Sequence, residues 1–312
     1  MNKSSAPLVT VVIPTYNHAR YLKRAIQSIL DQSYINWELI IIDNHSTDNT
    51  DEVIAFFQDK RITYLKIHNN GIIAKSRNAG IRLAKGEWIA FLDSDDLWYP
   101  KKLQTAIEVI RYDSSIDVCC NNEFQVDEVK QIKKRLIYGP YCSNFYKKLL
   151  VSGNCLSTSA TMVKREFLKK NTILFREKKE FVTVEDYDFW MLLARAGANF
   201  KFIKSVQGEY TIHNNNASGQ SGKHRTNLTN LIHDHIYQLQ TFNLEKDKLW
   251  RYINSRLLLS NSKNMLITGH YSSSIKFLIN AFSSSSKSTL NYILLGIARV
   301  IKNAINSKYF EY

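Results

Sequence analysis

The chain has 312 residues, which is enough for one large domain and a smaller appended part. Hydrophobic residues make up 44% of the chain, which argues against disorder as a description of the whole. The formal net charge of +14 favours a polyanionic partner: nucleic acid, anionic lipid or a phosphorylated substrate.

The first hundred residues alternate between short apolar runs and amphipathic helical patterns. Strands are predicted over residues 9–13, 39–42, 62–67 and 88–92. Helices are predicted over residues 18–32, 47–58 and 72–84, with Thr47 as an N-cap. This alternation predicts an α/β fold with a Rossmann-like, mostly parallel sheet that is flanked by helices on both faces.

The pattern is looser beyond residue 100. A helix is predicted over 101–112, a strand over 117–126 and a charged turn or hairpin over 128–135. Residues 181–196 begin as an extended piece and become helical from Asp186, and residues 208–221 are predicted to form a loop because they are rich in Asn, Ser and Gly. From about residue 226 onward the periodicity is mainly helical.

Polar clusters follow three of the predicted strands. Thr15-Tyr16-Asn17 follows the first strand, Asp43-Asn44 the second and Asp93-Ser94-Asp95-Asp96 the fourth. Ligands of open parallel sheets bind beyond the carboxyl ends of the strands. The three clusters therefore predict one binding rim.

Asp93-Ser94-Asp95 is a D-x-D element, and two carboxylates at a strand end suit Mg²⁺ or Mn²⁺. Such a cation would bridge diphosphate oxygens. The alternative is a solvated helix N-terminus, with Asp95 or Asp96 as the cap before Leu97.

Three further sites each have a functional and a structural interpretation. Asp43 and Asn44 have the chemistry to hydrogen-bond a nucleoside, whereas Thr47 or Asp48 would cap the next helix. The Glu185-Asp186 pair can supply a general base or a helix cap. His213 is either a metal ligand or a solvated loop histidine.

Four segments together resemble family-2 glycosyltransferases of the GT-A fold. They are VVIPTYNHARYLKRAIQSILDQSY, WELIIIDNHSTDNT, GIIAKSRNAGIRLAKGEWIAFLDSDDLW and VEDYDFW, followed by the His213 loop. The resemblance covers about two-thirds of the chain and does not include the part after about residue 223. It implies a catalytic domain over 1–222, with a nucleotide-binding half (about 1–100) and an acceptor half (101–222). A helical region over 223–312 follows.

The resemblance also implies roles for individual residues. The nucleotide would be bound by Pro14, Thr15, Tyr16, Asn17, Asn44, Arg77, Asp93 and Ser94. Tyr16 would lie against the base and Asp93 on the ribose side. Arg77 would help to neutralise phosphate. Asn44 stands where many relatives have an aspartate that accepts the base N3–H. The NH₂ group of Asn44 adds a hydrogen-bond donor at this position, so the base preference between uracil and thymine stays open.

For the reaction itself, the resemblance implies an inverting enzyme of the hexosyltransferase type. Asp186 would be the general base, Glu185 an acceptor-side residue, and Asp95 with His213 would hold Mn²⁺ or Mg²⁺. The expected donor is a nucleotide-diphosphate sugar, with UDP as the expected nucleotide. The expected acceptor is a saccharide or lipid-linked saccharide of bacterial surface polysaccharide synthesis, such as O-antigen, capsule or lipooligosaccharide.

Two other classes compete with this interpretation. A nucleotidyltransferase acting on sugar phosphates is expected to have a glycine-rich basic loop after the first strand. This chain has Pro14-Thr15-Tyr16-Asn17 there, without a glycine. A nucleic-acid-binding protein would account for the charge of +14, but the basic residues are scattered and the rim is acidic, so no nucleic-acid partner is expected.

The protein is predicted to be cytoplasmic. The beginning of the chain lacks the apolar core of a signal peptide, the four cysteines have no metal-site spacing, and no apolar run reaches the roughly 20 residues of a spanning helix. Residues 223–312 carry twelve Lys and Arg against four Asp and Glu, and residues 290–305 are apolar with late basic residues. These features predict peripheral binding to the anionic inner face of a membrane, or else a helix packed on the catalytic domain.

Overall fold

The computed structural model describes residues 6–213, 221–242 and 244–294. The chain divides into two compact units, Met1–Asn227 and Leu228–Tyr312. The division falls inside a helix that spans Ser221–Asp234, whereas the sequence predicts a boundary at residue 222.

Within its described residues, the first unit is built on one sheet of nine strands. In chain order the strands are β1 (Val9–Thr15), β2 (Trp37–Asp43), β3 (Ile62–Lys66), β4 (Trp88–Phe91), β5 (Leu97–Trp98), β6 (Val118–Asp127), β7 (Ile132–Leu136), β8 (Thr161–Lys164) and β9 (Phe200–Ile212). Their spatial order is β3-β2-β1-β4-β8-β6-β9-β5, with β7 paired to β6.

Strands β3, β2, β1 and β4 are mutually parallel, and β9 is parallel to β6. Strand β8 runs antiparallel between β4 and β6. Every residue of β1 is buried, as expected for a parallel strand that is covered on both faces. The prediction of a mostly parallel sheet with flanking helices is therefore confirmed, with antiparallel strands added in the second half.

The helices of this unit follow the strands closely. They are α1 (Ala19–Leu30), α2 (Thr50–Phe56), α3 (Ile73–Leu83), α4 (Lys102–Tyr112), α5 (Phe145–Ser152), α6 (Arg165–Asn171) and α7 (Glu185–Arg195). In α1, the buried apolar residues Leu22, Ala25, Ile26 and Ile29 recur at helical spacing and pack into the main core.

The prediction that Thr47 caps the second helix is wrong. Helix α2 begins at Thr50, and the Thr47 backbone N–H donates to Asn17 Oδ1 at 2.7 Å. Asp48 instead accepts hydrogen bonds from the Thr50 N–H at 3.2 Å and from the Ala19 N–H at 2.9 Å. The segment before α2 is therefore held by contacts with the start of α1, which sequence spacing does not reveal.

The prediction of a loop over residues 208–221 is also wrong for its first part, because β9 continues to Ile212. The backbone of β9 approaches β5 closely at Gly208, because a Cβ at this position would lie only 2.7 Å from the Leu97 carbonyl oxygen. Residues 214–220 lie outside the described part of the chain. Residues 181–184 are not a strand either, since a 3₁₀ turn spans Lys179–Phe181 just before α7.

The second unit is helical where the structure describes it, in agreement with the sequence. It contains the second half of α8 (Ser221–Asp234), a π-helical turn over His235–Leu239, α9 (Lys246–Ile267) and α10 (Tyr271–Ser284). Helices α9 and α10 are joined by hydrogen bonds between Ser262 and Ser274. Among the described residues, no helix is both long and apolar enough to span a membrane. Of the predicted membrane-contacting stretch 290–305, residues 295–305 lie outside them.

Candidate active site

A cleft of about 420 Å³ opens in the first unit beside the residues that follow β1 and β4. Its lining comes from well-separated segments of the chain: Pro14, His18, Gly71, Ile73, Arg77, Asp93, Ser94, Asp95, Leu136, Tyr138, Leu156, Ser157, Thr158, Val182, Thr183, Glu185, Asp186 and Tyr210. Seven residues that the sequence singles out are therefore brought together: Pro14, Arg77, Asp93, Ser94, Asp95, Glu185 and Asp186.

Arg77 lines this cleft and links α3 to the segment after β4 and to α7 through two ion pairs. It projects from α3, is 3% exposed, and donates from Nη2 to Asp93 Oδ1 and from Nη1 to Glu185 Oε1, both at 2.7 Å. A buried guanidinium with two carboxylate partners is electrically compensated, and its side chain is held in one orientation. Both terminal nitrogens of Arg77 are thus committed to carboxylates, so phosphate neutralisation by this residue would have to compete with them.

Asp186 lies in the first turn of α7 and lines the cleft. Burial, together with the negative charge of Glu185, raises the pKa of Asp186 to about 7, against the opposing effect of the Arg77 guanidinium. Asn154 donates from Nδ2 to Asp186 Oδ2 at 3.3 Å. Sequence reasoning missed Asn154, because it precedes Asp186 by about thirty residues and belongs to no motif.

Asp95, which follows β4, and His213, which follows β9, are brought together. His213 Nε2 lies 3.1 Å from Asp95 Oδ2, and both side chains are largely buried. Burial, with the Asp93 carboxylate nearby, raises the pKa of Asp95. An imidazole nitrogen beside a carboxylate oxygen is a donor pair that fits a divalent transition-metal ion. The donor chemistry at this position therefore fits the cation that the sequence predicts.

Asp96 has a different environment from its neighbours. Its carboxylate is buried and accepts hydrogen bonds from the Ser159 hydroxyl and the Thr211 N–H, the latter at 2.8 Å. The alternative interpretation, in which Asp95 or Asp96 caps a helix before Leu97, is wrong, because Leu97 begins β5 and α4 starts only at Lys102. Asp96 anchors the D-x-D segment to β9.

Hydrogen bonds made by Asp43 and Asn17, two residues that the sequence indicates as candidates to contact the nucleotide, hold the loop after β2 in place. Asp43 accepts hydrogen bonds from the Ser46 N–H at 3.0 Å and from the Tyr64 hydroxyl at 2.9 Å. Asn17, with a φ of 52°, accepts from Thr47 and donates its own N–H to Ser46 Oγ. Asp43 is therefore a structural residue of this loop.

Four other predicted nucleotide-binding residues do not line the cleft: Thr15, Tyr16, Asn17 and Asn44. Tyr16 is 52% exposed, whereas Thr15 is buried. Asn44 Oδ1 accepts the Asn69 N–H at 2.8 Å. Because a backbone N–H can only donate, this contact fixes the amide oxygen toward Asn69, and the NH₂ group is the part of Asn44 that it does not engage.

A mixed sheet with a D-x-D element and a cleft at its strand ends is the architecture of a GT-A glycosyltransferase. The chain belongs to glycosyl transferase family 2, whose family model matches residues 10–172, just over half of the sequence. It is therefore a glycosyltransferase. One relative is the UDP-Glc:alpha-D-GlcNAc-diphosphoundecaprenol beta-1,3-glucosyltransferase WfgD of Escherichia coli. It is 32% identical over 191 residues, which cover 60% of this chain and 70% of that protein.

Solved structures share the fold. TarS 1-349 of S. aureus in complex with UDP-GlcNAc superposes with a TM-score of 0.68 and 20% identity, over 90% of this chain and 81% of that one. The mannosyltransferase PcManGT from Pyrobaculum calidifontis, in complex with GDP-Man and Mn²⁺, has a TM-score of 0.59 and 18% identity, over 96% and 81%. At sequence identities of 20% and 18%, these structural similarities are evidence for a shared fold alone.

Proposed function

We propose that this protein is an inverting glycosyltransferase that moves a sugar from a nucleoside-diphosphate donor to a hydroxyl of a saccharide acceptor. One observation carries the proposal: Asp95, in the segment after β4, and Asp186, in the first turn of α7, line the same 420 Å³ cleft. A carboxylate that can hold a diphosphate-binding cation and a carboxylate that can accept a proton, both on one cleft, are what a single displacement needs. The name of WfgD, with its UDP-glucose donor, supports UDP as the nucleotide.

Asp186 takes the proton from the acceptor hydroxyl in this mechanism. The acceptor oxygen attacks the anomeric carbon as the bond to the diphosphate breaks, and the configuration at that carbon inverts. A pKa near 7 suits a base that must be unprotonated at neutral pH and still hold a proton during the reaction. Asn154 orients the carboxylate, and the Arg77–Glu185 ion pair fixes the start of α7.

Asp95 and His213 would hold the divalent cation, Mn²⁺ or Mg²⁺, which supplies charge neutralisation for the departing diphosphate. Asp93 faces the ribose side while it remains paired to Arg77. Tyr16, half exposed after β1, stacks on the base. The NH₂ group of Asn44 donates to a pyrimidine carbonyl, since its oxygen is engaged by Asn69.

A donor screen tests the proposed function. The protein is incubated with Mn²⁺, a diphosphoundecaprenol-linked saccharide and a panel of UDP-, dTDP- and GDP-sugars, and released nucleoside diphosphate is measured. Release with a UDP-sugar, dependent on the acceptor, is the expected result. Release of pyrophosphate from a nucleoside triphosphate and a sugar phosphate would identify a nucleotidyltransferase instead. Tight oligonucleotide binding without any release would favour the nucleic-acid class.

The pH dependence of kcat/KM should show an acidic limb near pH 7. Asp186 accepts a proton only as the carboxylate, so activity is lost as the pH falls through its raised pKa of about 7. In Glu185→Gln the neighbouring negative charge is absent, which lowers the pKa of Asp186 and should move the limb to lower pH. Profiles are measured at saturating Mn²⁺. Unchanged kcat/KM down to pH 5 would contradict the assignment.

The acceptor side of the proposal includes an anionic membrane surface. Helix α10 exposes Tyr271, Ile275 and Ile279 at one-turn spacing, with exposed fractions of 65%, 58% and 58%. The surrounding sequence from residue 223 is basic, with twelve Lys and Arg against four Asp and Glu. An apolar stripe on a basic helical unit is typical of interfacial binding, with each basic residue contributing about 1 kcal/mol near the surface.

Vesicle co-sedimentation measures this binding. Binding should require anionic phosphatidylglycerol vesicles, weaken with salt, and drop on removal of residues 290–312 or in the double variant Ile275→Ser, Ile279→Ser. Ile35→Ser, at an exposed site of the first unit, is the matched control and should bind as the wild type does. No binding of the intact protein at low salt would leave the C-terminal helices as packing elements only.

A further inference from the structure

His18 is a third side chain at the cation position, and it comes from a part of the sequence without any metal-binding signature. It follows β1 and immediately precedes α1, whereas Asp95 follows β4 and His213 follows β9. One ligand atom from each of the three side chains lies within 4.8 Å of the other two. Three strand ends that are distant in sequence thus bring two imidazoles and one carboxylate to a single point.

Neighbouring side chains hold both imidazole rings in place. His18 Nδ1 lies 2.8 Å from Ser94 Oγ, the middle residue of the D-x-D element. The Tyr21 ring stacks on His213 with centroids 4.4 Å apart and meets His18 edge-on at 5.9 Å. A hydrogen bond from Nδ1–H to a neighbouring oxygen selects the tautomer whose Nε2 carries the lone pair. If His18 Nδ1–H donates to Ser94 Oγ, His18 Nε2 carries the lone pair and is the ring nitrogen available to a cation.

We infer that His18 is a protein ligand of the divalent cation, and that the complete set is His18, Asp95 and His213. The inference rests on the proposed function, in which Asp95 and His213 hold that cation. Two imidazole nitrogens suit Mn²⁺ and later transition ions better than Mg²⁺, which prefers oxygen ligands. The third ligand therefore makes this site selective for Mn²⁺ over Mg²⁺.

Pulsed electron paramagnetic resonance of bound Mn²⁺ counts the coordinated imidazole nitrogens directly. The measurement uses the full chain with Mn²⁺ alone and no donor. Two nitrogens are expected in the wild type, one in His18→Ala and none in the double variant His18→Ala, His213→Ala. Mn²⁺ affinity should fall at least about tenfold in His18→Ala, as with other losses at metal sites. Less Mg²⁺ should be needed to displace Mn²⁺ from that variant.

His45→Ala is the matched control, because His45 is exposed, stacks on His68 with ring centroids 3.8 Å apart, and is not one of the three side chains of the cation cluster. It should keep both nitrogen signals and the wild-type affinity. Two nitrogens in His18→Ala, or one in the wild type, would overturn the inference and leave His18 as a positioning residue for Ser94.

Two further measurements keep the test decisive. If His18→Ala does not unfold cooperatively, His18→Gln replaces it, and Zn²⁺ titration of wild-type protein labelled with ¹⁵N-histidine reports the same ligands. Ring-nitrogen shifts of two histidines support the inference, and a shift of one overturns it. Because no donor is present, a failed donor screen would remove the proposed reaction without changing these nitrogen counts. Active transfer with a one-nitrogen site would overturn only the role of His18.

Discussion

Asp186→Asn is expected to lower turnover by roughly two to four orders of magnitude while donor binding persists. Asparagine keeps the shape of the side chain, and its oxygen can still accept the hydrogen bond that Asn154 donates at 3.3 Å. It cannot take a proton from the acceptor hydroxyl. Turnover is followed by nucleoside diphosphate release, and donor binding by calorimetry with Mn²⁺ present.

Asp31→Asn is a matched control for this change. Asp31 directly follows α1, is exposed and does not line the cleft, so its loss of charge should leave turnover unchanged. Near-normal turnover in Asp186→Asn would assign the base elsewhere, first to Glu185. That residue is the weaker candidate, because its Oε1 already accepts from Arg77 at 2.7 Å.

Removal of divalent cations by a chelator should abolish transfer, and added Mn²⁺ or Mg²⁺ should restore it. The departing diphosphate carries charge that the acidic cleft would otherwise repel, since Asp93, Asp95 and Glu185 all line it. Asp95→Ala removes the carboxylate that lies 3.1 Å from His213 Nε2. This variant should bind the donor more weakly than the wild type when metal is present.

The comparison without metal separates this effect from a folding defect. Donor binding measured in chelator should be weak in both proteins and no weaker in Asp95→Ala than in the wild type, because neither then has a cation and the variant lacks one of the carboxylates that repel the diphosphate. Full turnover of the wild type in chelator would show that Asp95 and His213 do not hold a required metal.

The alternation of strands and helices in the first hundred residues was readable from the sequence, because it depends on local periodicity. The buried strands β1, β2 and β4 are built around short, mostly apolar runs, and α1 repeats its apolar residues at helical spacing. Polar residues directly after such strands must lie at one edge of a parallel sheet. That rule alone predicted that the D-x-D element would line a binding cleft.

The sequence also singled out Asp186 and His213 through the resemblance to a family. Locally, nothing separates a general base from a helix cap at Asp186, or a metal ligand from a solvated loop histidine at His213. Local reasoning failed where a residue's partner is distant in sequence. Gly208 was assigned to a loop, but it lies in β9, where a Cβ would clash with the β5 backbone. A glycine signals a turn or a close approach equally well.

Only the tertiary structure shows that the neighbouring residues Asp93, Asp95 and Asp96 have different partners. Asp93 pairs with Arg77, Asp95 lies beside His213, and Asp96 is buried against Ser159 and Thr211. Adjacent carboxylates in a sequence are chemically identical, so burial and long-range partners alone give them different environments and roles. The position of His18 beside Asp95 and His213 has the same origin. Three strand ends meet there because of the strand order in the sheet, which no local pattern encodes.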